Sequence, residues 1–252
     1  MSSVELGRWR VGEGRSYGTR ATPEETPVAF VLNGEAVAVM LATPNDLEDF
    51  AHGFFAADGV SLEGPVEIVR SALGVEVSCS SQGGTGRTWT RPAPTGCGLC
   101  GIRALADVHR ELPRWHGKGP RVSMAQLRGA MNELSKEQAS AGVHAAGWWV
   151  PDSGLGLVRE DVGRHNAVDK LFGALLRAEV DPLTGCLLLT SRVSVELIQK
   201  AATFGATVVA AISTPTALAV QTAESAGITL AGVVRSDAGE VFSHGERLEE
   251  LA

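Results

Sequence analysis

Residues 186–234 read CLLLTSRVSVELIQKAATFGATVVAAISTPTALAVQTAESAGITLAGVV. Three apolar runs without polar alternation, at 186–189, 207–212 and 228–234, are separated by segments of helical length at 194–204 and 215–226. Strands buried on both faces read as continuous apolar runs, and strands alternating with helices build a parallel sheet. Gly205 and Gly227 stand where each helix would end in a left-handed residue. The fold class is therefore α/β, and ligands are expected beyond the carboxyl ends of the strands. Those ends carry Thr190-Ser191-Arg192, Ser213-Thr214-Pro215-Thr216 and Val234-Arg235-Ser236-Asp237. Hydroxyls, helix-start amides and arginines there suit a phosphate or diphosphate, although the hydroxyls also read as plain helix caps.

Upstream, residues 27–32 and 35–41 form β-rich runs around Asn33-Gly34, a hairpin-turn dipeptide. Thr43 is expected to cap a helix with Pro44 in its first turn, its core stripe being Leu47, Phe50, Ala51, Phe54 and Phe55. Two more strands are expected at 66–70 and 73–79. A Ser/Gly/Thr/Pro-rich stretch at 80–96 reads as a mobile loop. Helical spacing resumes at Ile102, Leu105, His109 and Leu112, and Ser123 opens a helix through about Leu134. Residues 1–21 are expected to be a flexible segment, 22–125 an α+β N-terminal subdomain ending in the cysteine loop and its helix, and 126–252 the α/β subdomain.

The chain has 252 residues, 44% of them hydrophobic, and a formal charge of -7. That balance supports a sizeable core and argues against a nucleic-acid binder, which needs clustered Lys and Arg. No signal-peptide or membrane-spanning stretch is evident, so a cytoplasmic protein without nucleic-acid or membrane partners is expected. Cys79 and Cys186 lie in apolar runs and read as core residues.

The chemistry concentrates at Thr95-Gly96-Cys97-Gly98-Leu99-Cys100-Gly101. A Cys-x-x-Cys pair serves as a metal half-site, a redox dithiol or a sulfur carrier. Three flanking glycines maximise backbone freedom, which favours a carrier whose thiolate must move between partners. His109-Arg110-Glu111 lies downstream of the cysteines, the wrong order for a zinc-deaminase signature, and no intrinsic metal is expected. No G-x-G-x-x-G or P-loop motif is present. Glu160-Asp161-Val162-Gly163-Arg164-His165-Asn166 gathers ionisable groups at a helix start, and His144 lies among small residues that would let a ligand approach.

Taken together, the cysteine segment, the block from Glu160 through Lys170, Ser191-Arg192 and Thr214-Pro215-Thr216 with Ala219 resemble the FdhD family, the formate dehydrogenase accessory sulfurtransferases. Glu25, Asn33-Gly34 and Thr43-Pro44 through Gly53-Phe54 also fit, so the resemblance spans roughly residues 24–248. It implies a sulfurtransferase that accepts persulfide sulfur from a cysteine desulfurase on Cys97 or Cys100. The sulfur would pass to the bis-molybdopterin guanine dinucleotide cofactor (Mo-bisMGD), as bound substrate, before formate dehydrogenase receives it. It further implies a homodimer, a cytidine-deaminase-like three-layer sandwich in the C-terminal half, and a GDP-like nucleotide as a mimic of the cofactor. The cofactor-binding residues would be Val233, Val234, Arg235, Ser236, Asp237 and Ala238, with Ser191, Arg192, Thr214, His144, Arg164 and His165. Ser140-Ala141-Gly142-Val143-His144 departs from the family's Thr-Gly-Gly-x-His, and Val233 replaces a frequent Phe. A dithiol oxidoreductase, a zinc-binding structural module and a nucleotide-binding chaperone without sulfur transfer are the competing readings.

Overall fold

The computed structural model describes residues 3–11, 15–82, 111–138 and 142–252. The three apolar runs form β9 (Cys186–Leu189), β10 (Val208–Ala211) and β11 (Thr229–Gly232), parallel to one another as their pattern predicts. Helices α4 (Val195–Phe204) and α5 (Ala217–Ala226) connect them and end at Gly205 and Gly227, with φ of 99° and 73°. The sheet is nevertheless mixed. β7 (His144–Val150) pairs antiparallel with β9 and with β8 (Gly154–Asp161), and β12 (Glu240–Ser243) pairs antiparallel with β11, giving the order β12-β11-β10-β9-β7-β8.

Alternate residues of each strand enter different cores. Leu187, Leu189 and Val209 pack with α4, α5 and α3 (Arg164–Arg177), whereas Cys186, Leu188 and Val208 pack under α2 (Met124–Glu137). The result is a helix layer, a sheet and a second helix layer. Ser123 caps α2 in a reciprocal box with Gln126. Trp115 donates from its backbone N–H to Ala226 and from its indole to Ala202, so the described residues just before α2 already belong to this unit, upstream of the boundary expected at 125.

The N-terminal unit is a four-stranded sheet ordered β4-β3-β6-β5, made from β3 (Thr26–Leu32), β4 (Glu35–Ala42), β5 (Glu63–Ser71) and β6 (Gly74–Ser80). Asn33 and Gly34 take φ of 51° and 84° in the expected turn. One sheet face packs on α1 (Leu47–Ala56) through Phe30, Phe50, Phe54 and Phe55. Helix α1 starts later than expected, with Asp46 and not Thr43 at its N-cap, because Thr43 is consumed by a buried junction described below. Residues expected to be flexible at the N-terminus instead form a ribbon of β1 (Ser3–Val11) and β2 (Arg15–Pro23).

The two units meet where α1 crosses α3. A Cβ at Gly53 would overlap the carbonyl of Asp169, and one at Gly173 the carbonyl of Asp49. Glycine at both positions lets the helix backbones touch, which fixes α3 and the residues at its start. Among the described residues, no helix is long and apolar enough to cross a membrane.

Candidate functional site

The carboxyl ends of β9, β10 and β11 open into a cavity of about 360 Å³ lined by His144, Arg164, Thr190, Ser191, Arg192, Ile212, Ser213 and Arg235. That volume falls within the range of about 300–1,000 Å³ usual for small-molecule sites. Each lining residue arrives for a topological reason. Because β7 runs against β9, its first residue, His144, lies beside the end of β9, and Thr190 locks that edge by accepting from Ala145 N–H at 2.9 Å. Strand β8 pairs Asp161 with His144, and the chain then turns into α3, whose first residue is Arg164. The loops after β9 and β10 are joined by a bridge between Val193 and Pro215 and by the Thr216 N–H donating to Val193.

The electrostatics are one-sided. Among the described residues, no carboxylate forms an ion pair with Arg164, Arg192 or Arg235, and the Arg164 Nε is buried without a hydrogen-bond partner. Burying a cationic donor unpaired is costly unless an anion completes the site. Helix α3 adds the positive end of its dipole where Arg164 enters. Burial chiefly, then the Arg164 charge, pushes His144 below the ordinary imidazole range; His165 and Arg192 act in the same sense and Asp161 opposes them. Both effects favour the neutral imidazole of His144. Such an arrangement has the chemistry to recognise an anion through planar, multi-donor contacts, as phosphate oxygens require.

The acidic-basic block divides into two jobs. Asp161, fully buried, receives Lys170 Nζ at 2.7 Å, Thr43 N–H at 3.0 Å, Gly163 N–H at 2.8 Å and Asn166 Nδ2 at 2.9 Å. Lys170 also donates to the Thr43 carbonyl, Asn166 donates to the Leu41 carbonyl, and the Val162 N–H donates to the Thr43 hydroxyl. Asp161, Asn166 and Lys170 thus clamp the strand-to-helix turn of the N-terminal unit onto the start of α3. Arg164, on the same turn, faces the cavity. His165 is buried behind it, with Nε2 3.0 Å from Glu196 and 3.2 Å from the Ser194 hydroxyl, and does not line the cavity.

A strained turn aims Arg235. Val233 has φ of 53°, a left-handed conformation that is unusual for a β-branched residue. It is held by its N–H on the Ser213 carbonyl at 3.3 Å and by Val234 N–H on Ala211 at 2.9 Å. Arg128 of α2 donates to the carbonyls of Arg235 and Ser236 from the other side. Such strain persists where surrounding contacts over-determine it, commonly at functional sites.

Of the residues expected to bind cofactor, the structure brings His144, Arg164, Ser191, Arg192 and Arg235 around one cavity. Val234 is a core residue, Thr214 is exposed, and Ser236, Asp237 and Ala238 form an exposed turn closed by Arg235 N–H on the Ala238 carbonyl; none of them, nor Val233, lines it. Thr190 and Ser213 belong to loops picked out by their strand-end positions. Ile212 was not singled out, since an apolar residue ending a strand carries no signal distinguishing a wall from a core. Cys97, Cys100 and His109 lie outside the described residues. Burial pushes the Cys79 thiol up to about 11 and raises that of Cys186, consistent with their reading as core residues.

Comparisons with known proteins agree with one another. The chain is 41% identical to the sulfur carrier protein FdhD of Agrobacterium fabrum, covering 92% of this chain and 90% of that one. It is 42% identical to the protein of the same name from Cupriavidus necator, covering 100% and 91%. Its fold matches the crystal structure of a proposed formate dehydrogenase accessory protein from Desulfotalea psychrophila, with a TM-score of 0.76 and 22% identity over 98% of this chain and 99% of that one. A family model described as the FdhD/NarQ family matches residues 23–249, and the chain belongs to that family.

Proposed function

We propose that this protein is a sulfur carrier serving formate dehydrogenase, and that the arginine-lined cavity holds one guanine-nucleotide end of Mo-bisMGD while a persulfide is delivered to it. The relatives' name supports the carrier role. The single observation that carries the binding half is the set Arg164, Arg192 and Arg235 converging without a carboxylate partner among the described residues. A cavity of about 360 Å³ suits part of a dinucleotide, so the remainder of so large a substrate would extend outside. We also read the three C-terminal layers as the cytidine-deaminase-like sandwich implied by the family resemblance.

In the sulfur step, the Cys97 thiolate attacks the outer sulfur of the desulfurase persulfide. The donor's S–S bond breaks, its cysteine leaves as thiolate, and Cys97 carries the sulfane sulfur with no net redox change. Attack by Cys100 on the inner sulfur of Cys97 would then release hydrosulfide, the resulting Cys97–Cys100 disulfide accounting for the two electrons. In the cavity, the three guanidiniums bind phosphate oxygens, and His144, once protonated by the anion's field, donates a further hydrogen bond.

Intact mass after incubation with a cysteine desulfurase and cysteine tests the carrier role. The expected result is a reductant-labile gain of about 32 Da, one sulfur, that is lost in Cys97→Ala. No gain with an active desulfurase would refute the carrier reading and leave a nucleotide-binding chaperone.

A further inference from the structure

Helices α3 and α4 start at the same end of the sheet and run in the same direction. Strands β8 and β9 are each antiparallel to β7 and hence parallel to each other, and the two helices leave their carboxyl ends. One turn apart on α3, His165 and Asp169 are both buried; one turn apart on α4, Glu196 is buried and Lys200 nearly so. His165 Nε2 lies 3.0 Å from the Glu196 carboxylate and 3.2 Å from the hydroxyl of Ser194, the N-cap of α4, while Lys200 Nζ pairs with Asp169. The contacts form a two-rung ladder, 165 to 196 and 169 to 200, beside a core that includes Val168, Leu171, Leu197 and Ile198.

Apolar contacts between helices are non-directional and do little to oppose sliding. The ladder opposes it. A slip of one turn, about 5.4 Å, would set Asp169 against Glu196 in one direction, carboxylate on carboxylate, and His165 against Lys200 in the other, base on base. The observed register alone satisfies both rungs. Buried polar pairs add little stability over apolar side chains of similar volume, and fixing a register is their best-attested use.

That register matters because each helix brings a wall of the cavity. Arg164 is the first residue of α3, and Ser191 and Arg192 lie just ahead of the α4 cap. The opposite wall hangs on the same loop, through the Thr216 N–H on the Val193 carbonyl and the Val233 N–H on the Ser213 carbonyl. We propose that His165, Asp169, Glu196 and Lys200 are positioning residues, whose ladder sets α3 against α4 and so the spacing of Arg164 from Arg192 that a diphosphate spans. They do not line the cavity and act through the two arginines. A diphosphate engaging both guanidiniums feels their spacing, whereas a single phosphate held by one does not. This inference rests on the reading of the cavity as a nucleotide site.

The test replaces the first rung by an apolar pair, His165→Leu with Glu196→Met, in the full-length protein. The urea midpoint should hold or rise, as it does when buried polar pairs give way to apolar ones. Calorimetry should show GDP affinity falling about tenfold, the cost of ordering one loosened arginine side chain, and inorganic phosphate affinity changing less than about threefold. Glu196→Gln keeps an acceptor for the His165 N–H and should bind GDP as the wild type does. Asp169→Asn with Lys200→Met removes the other rung and should repeat the pattern, which keeps the test decisive should the first variant not fold. Equal GDP affinity in wild type and apolar-rung variants, or equal losses for GDP and phosphate, would overturn the proposal. A wild type that binds no GDP would sink the nucleotide reading, and hydrogen exchange would then decide the ladder. The Leu197 and Ile198 amides, which donate to the Ser194 carbonyl at the start of α4, should exchange faster in the apolar-rung variant at equal global stability. Unchanged exchange there would overturn the ladder's role.

Discussion

Replacing Lys170 by Met should destabilise the protein by about 3 kcal/mol, the low end of the cost of breaking a buried ion pair. Lys170 and Asp161 are both fully buried, with Nζ 2.7 Å from the carboxylate. Methionine fills much of the lysine's volume, so the loss is electrostatic, not a cavity. Asp161 would keep three N–H donors, from Thr43, Gly163 and Asn166, and the Thr43 carbonyl would keep the Asn45 N–H. Those remaining bonds are the reason for placing the estimate at the low end. The residual penalty is an uncompensated buried carboxylate, so adding Asp161→Asn to Lys170→Met should recover part of it. A double-mutant cycle by equilibrium urea unfolding should give a coupling of about 1.5 kcal/mol or more, within the range for contacting residues. A Lys170→Met cost below about 1 kcal/mol, or additive single and double effects, would refute the reading of this junction as an ionic clamp. Because the clamp sets the turn that carries Arg164, nucleotide affinity should fall in the same variant.

Three further outcomes follow from the geometry. Burial and Arg164 disfavour the imidazolium of His144, whereas a bound anion favours it, so binding should take up a proton. GDP affinity of the wild type relative to His144→Gln should therefore rise as pH falls from 7.5 to 5.5; comparing the two removes the ligand's own phosphate titration, and a constant ratio would contradict the assignment. Gly53→Ala places a methyl against the Asp169 carbonyl and should cost about 1–3 kcal/mol by overpacking, read as a lowered urea midpoint, despite alanine's better helix propensity. Alkylation of the native protein at pH 8 should leave Cys79 and Cys186 unmodified, because both are buried and their thiols are held protonated; labelling of either at the rate seen in urea would count against it.

Much of the C-terminal architecture was legible because continuous apolar runs and glycine helix ends encode buried parallel strands locally. β7 was not, since His144-Ala145-Ala146-Gly147-Trp148-Trp149-Val150 mixes small and large residues to serve two cores at once. Thr43 has the chemistry of a cap, yet its backbone and hydroxyl are taken by residues 118 or more positions away. No local rule reveals such a partner. Strand-end logic located the cavity and several of its walls. It could not separate Arg164 from His165, whose side chains turn opposite ways at one helix start, or show that Arg128 braces Arg235 from another helix. The ribbon was missed because Gly7, Gly18 and several arginines mask its alternation.

The most direct test of the central claim, that the arginine cavity holds a guanine-nucleotide end, is a calorimetric titration of the full-length protein with GDP. Arg164→Met and Arg192→Met serve as comparisons. Stoichiometric binding by the wild type, weakened about tenfold or more by either substitution as lost charge-assisted hydrogen bonds of about 1.5–3 kcal/mol require, is the predicted result. No binding by the wild type, or binding of equal strength in both variants, would contradict it.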